Sequence, residues 1–346
     1  MIYTDMTYRA MDIAYRAHEG QRDRNGAPYI FHPYQVAQNM PEEITACAAL
    51  LHDVVEDTDV TLEQLAEDFP PQVIEALRLL THDDDTPYLD YVRALKDNPA
   101  ARMVKLADLG HNSDEGRLRA GKMSDEKIAQ LKKKYASARA VLNEDFKIIA
   151  VTDFKEGQES AEKAAQLAGC GADAVILRAK QLTDGEYRAL ALETQRLAQK
   201  KGRSVIWHAH ADEGIKAGWP EIHLPLAEFK RIKEDPELNA LLPKKVGVSV
   251  HSPEEAREAG EMGASYAVYG HIYPTNCKKG AAPRGTQALR LAVLEAGIPV
   301  YAIGGIGLWN IAEVRDTGCA GTCVMSAFME AADPEIFCRE LREAIE

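Results

Sequence analysis

The feature that most constrains this chain is a change of hydrophobic period near Asn143. From Thr4 to about Ala140, apolar residues recur at spacings of three and four, as in CAALLHDVVED, LEQLAEDF, QVIEALRLL and KKKYASARAVL. That is the period of amphipathic helices. Breaks at Asn25-Gly26, Pro41, Pro70-Pro71, Pro87 and Pro99 divide this half into five or six expected helices with no strand, because proline begins or ends a helix but does not continue one. Beyond Asn143, short β-rich runs alternate with helix-like stretches: FKIIAVTD, ADAVILRAK, SVIWHAH, EIHLP, VGVSVHS, YAVYGHI, PVYAIGG and GTCVMSAF. Eight strand–helix repeats over roughly 200 residues favour a closed parallel (β/α)8 TIM barrel over an open sheet. The expected organisation is an all-α domain over 1–144 followed by an α/β barrel over 145–346.

Composition narrows the partners. A formal charge of −13 works against nucleic acid, since phosphate-backbone contacts need a basic face. A small phosphorylated ligand, which needs only a few local cations, stays compatible. No apolar run approaches the roughly 20 residues that cross a bilayer, and the start, MIYTDMTYRAMDIAYRAHEG, reads as an amphipathic helix rather than a secretory signal. The six cysteines are scattered, with Cys319 and Cys323 the only close pair, so reduced structural thiols and a cytoplasmic location are expected. A homo-oligomer is left open.

The first candidate site is built around His52 and Asp53, which interrupt an apolar stretch expected to be a single helix. A carboxylate buried without a partner is costly. Glu56 and Asp57 follow one turn later, so Asp53 and Asp57 would repel each other on one face unless a cation or proton intervenes. His32 and Asp108 can complete a His2Asp2 set, a donor mixture suited to a first-row divalent ion. Arg22, Arg24 and Lys105 are candidate phosphate contacts, and Asn112, one turn beyond Asp108, a candidate ligand contact.

At these residues the chain resembles a known family. GQRDRNGAPYIFHPYQVA, AALLHDVVEDTDVTLEQL and MVKLADLGHN are similar to the HD hydrolase domain of RelA/SpoT-type enzymes and small alarmone hydrolases. The resemblance implies a metal, usually Mn²⁺, held by His32, His52, Asp53 and Asp108. It also implies a catalytic Glu56-Asp57 pair and removal of the 3′-pyrophosphate of (p)ppGpp. The family commonly carries Arg directly after the last metal Asp; here Leu109-Gly110 follows.

In a parallel barrel, working residues stand at the C-terminal ends of the strands. Glycines in AIGGI (Gly304, Gly305) and a short helix expected from Ser326 after Met325 offer backbone amides to a phosphate. The loop GHIYPTNCKKGAAPRG brings His271, Thr275, Cys277, Lys278 and Lys279 to the mouth; a histidine beside lysines that hold an anion is suited to proton transfer. Arg178, Lys180 and His208 end the second and third strands.

VILRAKQLTDGEY, SVHSPEEAREAGEMGASYAVYGHIYPTNCKKG, PVYAIGGI and GTCVMSAF resemble the thiamin phosphate synthase and thiazole tautomerase superfamily. The synthase usually has Gly-Pro at the end of strand six; Gly-His followed by CKKG is the tautomerase form, which implies His271 as the acid/base acting on a carboxythiazole phosphate, with no cofactor. The synthase metal site uses an Asn after strand three and an Asp after strand four, where this chain reads WHAHAD and HLPLAEF. The leading expectation is a bifunctional enzyme, a metal-dependent phosphohydrolase fused to an isomerase of thiamin biosynthesis. The alternatives are a regulatory protein whose barrel senses a thiamin precursor and tunes the hydrolase, and a thiamin phosphate synthase.

Overall fold

The computed structural model describes residues 1–83, 85–120, 123–154, 160–278 and 280–345. The chain divides into two compact units, one of Met1–Glu144 with Asp316–Gly318 and one of Asp145–Arg315 with Cys319–Glu346, which holds the barrel.

The first unit contains ten helices among its described residues, not five or six: α1 (Asp5–Ala17), α2 (Phe31–Gln38), α3 (Glu43–Leu51), α4 (Val54–Asp57), α5 (Leu62–Ala66), α6 (Pro71–Leu80), α7 (Tyr88–Ala94), α8 (Pro99–Asn112), α9 (Glu115–Ala120) and α10 (Asp125–Leu142). The excess comes from helices of four to eight residues, too short for a hydrophobic period to register. Local chemistry sets the starts. Thr4 and Thr7 form a reciprocal cap on α1, Asn98 accepts from the Ala101 amide ahead of Pro99 at α8, and Ser124 caps α10. Helix α3 is buried along almost its whole length (Ala46 to Leu51), which makes it the central element against which α1, α2, α6 and α8 pack.

In the second unit the eight expected runs form β1 (Lys147–Val151), β2 (Ala174–Leu177), β3 (Ser204–Trp207), β4 (Glu221–Pro225), β5 (Lys245–Val250), β6 (Tyr266–Gly270), β7 (Val300–Ile303) and β8 (Gly321–Val324). They pair in parallel, in chain order, and β1 closes on β8. Because side chains alternate along a strand, Ile149, Val151, Ile176, Ile206, Tyr266, Val268, Tyr301 and Cys323 fill the lumen, while Ile148, Ala150, Val175 and Val205 face the helical shell. Gly247 lies opposite Tyr266 in the register, and a Cβ there would stand 2.0 Å from the tyrosine ring. The glycine makes room for a large lumen side chain on the neighbouring strand.

Candidate functional sites

In the first unit the His-Asp doublet lies at a helix break, not inside one helix. His52 is the C-cap of α3 and Asp53 the N-cap of α4. Both keep right-handed backbone angles, and the Asp57 amide still donates to the Asp53 carbonyl at 2.9 Å. The i, i+4 relation read from the sequence therefore survives the break.

Three elements bring the expected metal ligands together: His32 from α2, the doublet from the α3–α4 junction, and Asp108 from α8. Single donor atoms of His32, His52 and Asp53 all lie within 4.8 Å of one another. Asp108 Oδ1 is 3.2 Å from His32 Nε2 and 3.9 Å from His52 Nε2. His52 Nδ1 donates to the Ala49 carbonyl at 2.8 Å, so Nε2 is the nitrogen turned into the cluster. That atom is buried without a hydrogen-bond partner; Asp53 Oδ2 is near, at 3.1 Å, but outside hydrogen-bond geometry. Burial alone would lower the His52 pKa, yet the carboxylates of Asp53 and Asp108 outweigh it and raise it to about 9. Positive charge is therefore favoured at the centre of this donor set, and the residues fit a divalent cation.

Each ligand is held from behind. Tyr29 donates to Asp53 Oδ2 at 2.6 Å, His32 Nδ1 meets His111 Nδ1 at 2.7 Å, and Asn112 donates to Asp108. Lys105 Nζ stands 3.0 Å from Asp108 Oδ2, with its side chain only 13% exposed. This opposite charge, with His32 and His52, overcomes burial and holds the Asp108 carboxyl well below the usual carboxylate range. Lys105, expected to contact phosphate, is thus tied to a ligand.

A cavity of about 180 Å³ opens on the cluster, lined by Arg24, Glu56, Asp57, Lys134 and Asn112 among others. The Glu56 carboxylate accepts from the His82 amide at 3.0 Å. Burial, then the charge of Asp53, raises the Asp57 pKa above the usual carboxylate value. Arg22 donates to the Gly26 carbonyl at 2.6 Å and lines a neighbouring cavity of about 200 Å³ that it shares with Arg24, Asn112 and Arg117.

At the barrel mouth the loops after β6, β7 and β8 enclose a cavity of about 520 Å³ lined by His271, Thr275, Cys277, Lys278, Gly304, Gly305, Met325 and Ser326. The expected helix runs Ser326–Glu330. Lys279 lies outside the described residues. His271 is 7% exposed, and its Nε2 is buried with no hydrogen-bond partner. Its backbone is fixed from both sides: the Gly270 carbonyl accepts from His251 Nδ1 at 2.9 Å and Arg284 Nε at 2.8 Å, and the His271 carbonyl accepts from the Arg284 amide at 2.9 Å. Gly304 (φ +105°) and Gly305 (φ +67°) adopt left-handed geometry, and a Cβ on Gly304 would come within 2.3 Å of His271 Cβ. The glycines thus let the β7 loop pass against the histidine.

Arg178, Lys180 and His208 stand apart from the lining of this cavity. Arg178 pairs with Asp153 across the ends of β1 and β2. The His208 amide donates to Tyr187 Oη, which donates in turn to the Leu177 carbonyl. The His208 ring lies 5.5 Å from that of His223, whose Nε2 meets Ser249 Oγ at 2.7 Å. Burial, then the nearby Lys180 and Arg178 charges, pushes the His208 pKa down to about 4. Arg178, Lys180 and His208, expected at the mouth, thus form a polar group separate from the His271 cavity.

Residues 147–328 match the family described as thiamine monophosphate synthase, and residues 10–103 match an HD domain. The first of these covers more than half of the chain. The chain belongs to the thiamine monophosphate synthase family. A thiamine-phosphate synthase of Syntrophomonas wolfei is 31% identical over 59% of this chain and 98% of its own length. A solved thiamine phosphate pyrophosphorylase from Pyrococcus furiosus covers 59% of this chain and 97% of its own at 30% identity, with a TM-score of 0.51. The structure of a metazoan SpoT ortholog, described as hydrolyzing ppGpp, covers 41% of this chain and 88% of its own at 25% identity and a TM-score of 0.37. The HD match implies a divalent metal in the first unit, in keeping with the donor set there.

Sequence reading missed several residues of both sites. In the HD domain these are Tyr29, His111, Arg117 and Lys134; in the synthase-family barrel, His223 and Trp309. Tyr29 lies three residues before His32, and His111 three after Asp108, so proximity to a ligand was a usable signal. Lys134, on a helix with lysines at three consecutive positions, gave none.

Proposed function

We propose that the HD domain is a metal-dependent phosphohydrolase acting on a pyrophosphorylated nucleotide of the (p)ppGpp type, and that the barrel isomerises a carboxythiazole phosphate with His271 as acid/base. The metal, Mn²⁺ in this reading, would be held by His32, His52, Asp53 and Asp108; when bound it supplies Lewis acidity toward phosphoryl oxygen and makes water a stronger acid. The observation that carries the first part is the unpartnered, buried Nε2 of His52 inside a ring of carboxylates. Asp57, with its raised pKa, handles the proton as water attacks phosphorus and the bond to the ribose oxygen breaks. Glu56, held by the His82 amide, orients the water. Arg24 and Lys134 face the same cavity and balance the phosphate charge. Pyrophosphate release from ppGpp with Mn²⁺, measured for the protein and for Asp53→Ala, tests this; equal release by both sinks it.

In the barrel, the supporting observation is the free Nε2 of His271 in a cavity that also holds Lys278 and the glycine loop. His271 takes a proton from one position of the thiazole and returns it at another, so composition is unchanged. The phosphate rests on the amides near Gly304, Gly305 and Ser326, within reach of Lys278. A second reading, formation of thiamin phosphate, is favoured by what the relatives are called. Proton NMR of carboxythiazole phosphate with the protein and with His271→Gln, beside an assay for thiamin phosphate with a pyrimidine pyrophosphate added, separates the two. Isomerisation lost in His271→Gln supports the first; thiamin phosphate formation without isomerisation replaces it with the second.

A further inference from the structure

The cavity beside His271 has a wall that proton transfer and phosphate binding do not use. Trp309 lines it and is 77% exposed, with neighbouring Leu308 43% exposed. Leaving so large an apolar ring in water forgoes a substantial hydrophobic gain. The other two tryptophans, Trp207 and Trp219, are buried.

The loop that carries the indole is fixed. Asn310 is buried, and its side chain bridges the turn, with Oδ1 accepting from the Gly307 amide at 2.9 Å and Nδ2 donating to the Gly305 carbonyl at 2.9 Å. The Gly307 carbonyl accepts from the Ile311 amide at 3.0 Å. On one side Trp309 meets the ring of Tyr273, centroids 5.5 Å apart at 59°, and Tyr273 is anchored by a 2.7 Å hydrogen bond to Glu313. A rigid turn, braced from the side, thus presents an indole at the edge of a cavity whose glycine loop begins at Gly304, five residues earlier. Order built into an exposed ring before anything binds lowers the cost of binding.

We propose that Trp309 determines specificity in the barrel: its indole stacks on a planar heteroaromatic ring in a substrate whose phosphate lies at the glycine loop. This rests on the reading of the barrel as a site for a ring phosphate. It adds that the ring, and not only the phosphate, is selected. Stacking of this kind is worth about a three- to ten-fold change in affinity.

The test uses the full chain and iodide quenching of tryptophan emission, which reports Trp309 because the other two indoles are buried. The probes are 4-methyl-5-hydroxyethylthiazole phosphate, phenyl phosphate and n-butyl phosphate. The two ring phosphates are expected to protect Trp309 from iodide and the alkyl phosphate not to. In calorimetric titrations, which do not need the indole as reporter, Trp309→Leu is expected to weaken ring-phosphate binding about ten-fold with butyl phosphate unaffected, and Trp309→Phe to restore part of the loss. In turnover, KM rises and kcat holds. Equal protection by ring and alkyl phosphates, or none by any probe, overturns the proposal. So does protection that appears on raising protein concentration without a probe, since it assigns the indole to a second copy. Ring-selective protection without any isomerisation leaves Trp309 in this role and removes the isomerase reading instead.

Discussion

Tyr29 donates a 2.6 Å hydrogen bond to the Oδ2 of Asp53, the oxygen that also stands 3.1 Å from His52 Nε2. The tyrosine fixes the orientation of a carboxylate that would otherwise rotate within the cluster. Groups that hold a metal ligand from behind commonly contribute ten- to a hundred-fold to metal affinity. Tyr29→Phe removes only the hydroxyl. We expect Mn²⁺ affinity, measured by calorimetry, to fall by about ten-fold or more, with the far-UV circular dichroism unchanged.

Lys105 and the buried Asp108 form a largely desolvated pair at 3.0 Å. Removing one partner leaves an uncompensated buried charge, at a cost of about 3–5 kcal/mol. Asp108→Ala is therefore expected to destabilise the protein to urea far more than the double variant Asp108→Leu with Lys105→Met, which removes both charges. If the double variant is no more stable than the single one, the loss comes from packing and not from charge.

The barrel should lose stability in mild acid. His208 is held neutral in the fold with its pKa lowered to about 4, and burial also pushes His223 well below its usual value. In the unfolded chain both would protonate near pH 6.5. The unfolded state therefore binds more protons below that pH, so stability is fully present above about 6.5 and is lost as pH falls toward 4. His208 by itself contributes a loss of about 2 kcal/mol between pH 7 and pH 5. All three tryptophans lie in the barrel, so urea unfolding followed by their emission reports this unit. His208→Asn should flatten the profile.

Gly304→Ala is expected to disable the barrel site without unfolding the barrel. The added methyl would stand 2.3 Å from His271 Cβ, at a backbone φ of +105°. His271 must shift, and the strained backbone alone costs about 1–3 kcal/mol. The isomerisation proposed for the barrel should fall by about a hundred-fold or more, on the order expected when a catalytic group is misplaced by about 1 Å, while the urea midpoint moves only modestly.

Lys134→Met should raise KM for the nucleotide several-fold and leave kcat nearly unchanged. Lys134 lines the cavity above the proposed metal ligands, with its ammonium 4.1 Å from the Tyr88 ring centroid. The loss of one cation facing phosphate affects ground and transition states alike. A fall in kcat of the same size would instead place Lys134 in the chemical step.

Much of this was legible in the sequence because it depends on local rules. Strand alternation and helical period located the eight strands and the all-helical half, and strand ends pointed to His271, Gly304 and Ser326, which line one cavity. The His-Asp doublet announced itself as a polar pair in an apolar stretch, and its i, i+4 relation to Asp57 persists across the break between α3 and α4.

Other features depend on residues far apart in the chain. His32 and His111 are separated by 79 positions yet meet at 2.7 Å, and Tyr29 reaches Asp53 across 24. No periodicity encodes such pairs; they follow from how α2 and α8 pack against α3. The separation of His208, Arg178 and Lys180 from the His271 cavity is of the same kind, since which loops converge is set by strand order around a closed barrel. The sequence by itself determined the two architectures and the chemical types at their sites, because period, capping and turn residues act over a few positions. The tertiary structure alone decided which of those residues face one another, because packing and register join segments that share no local signal.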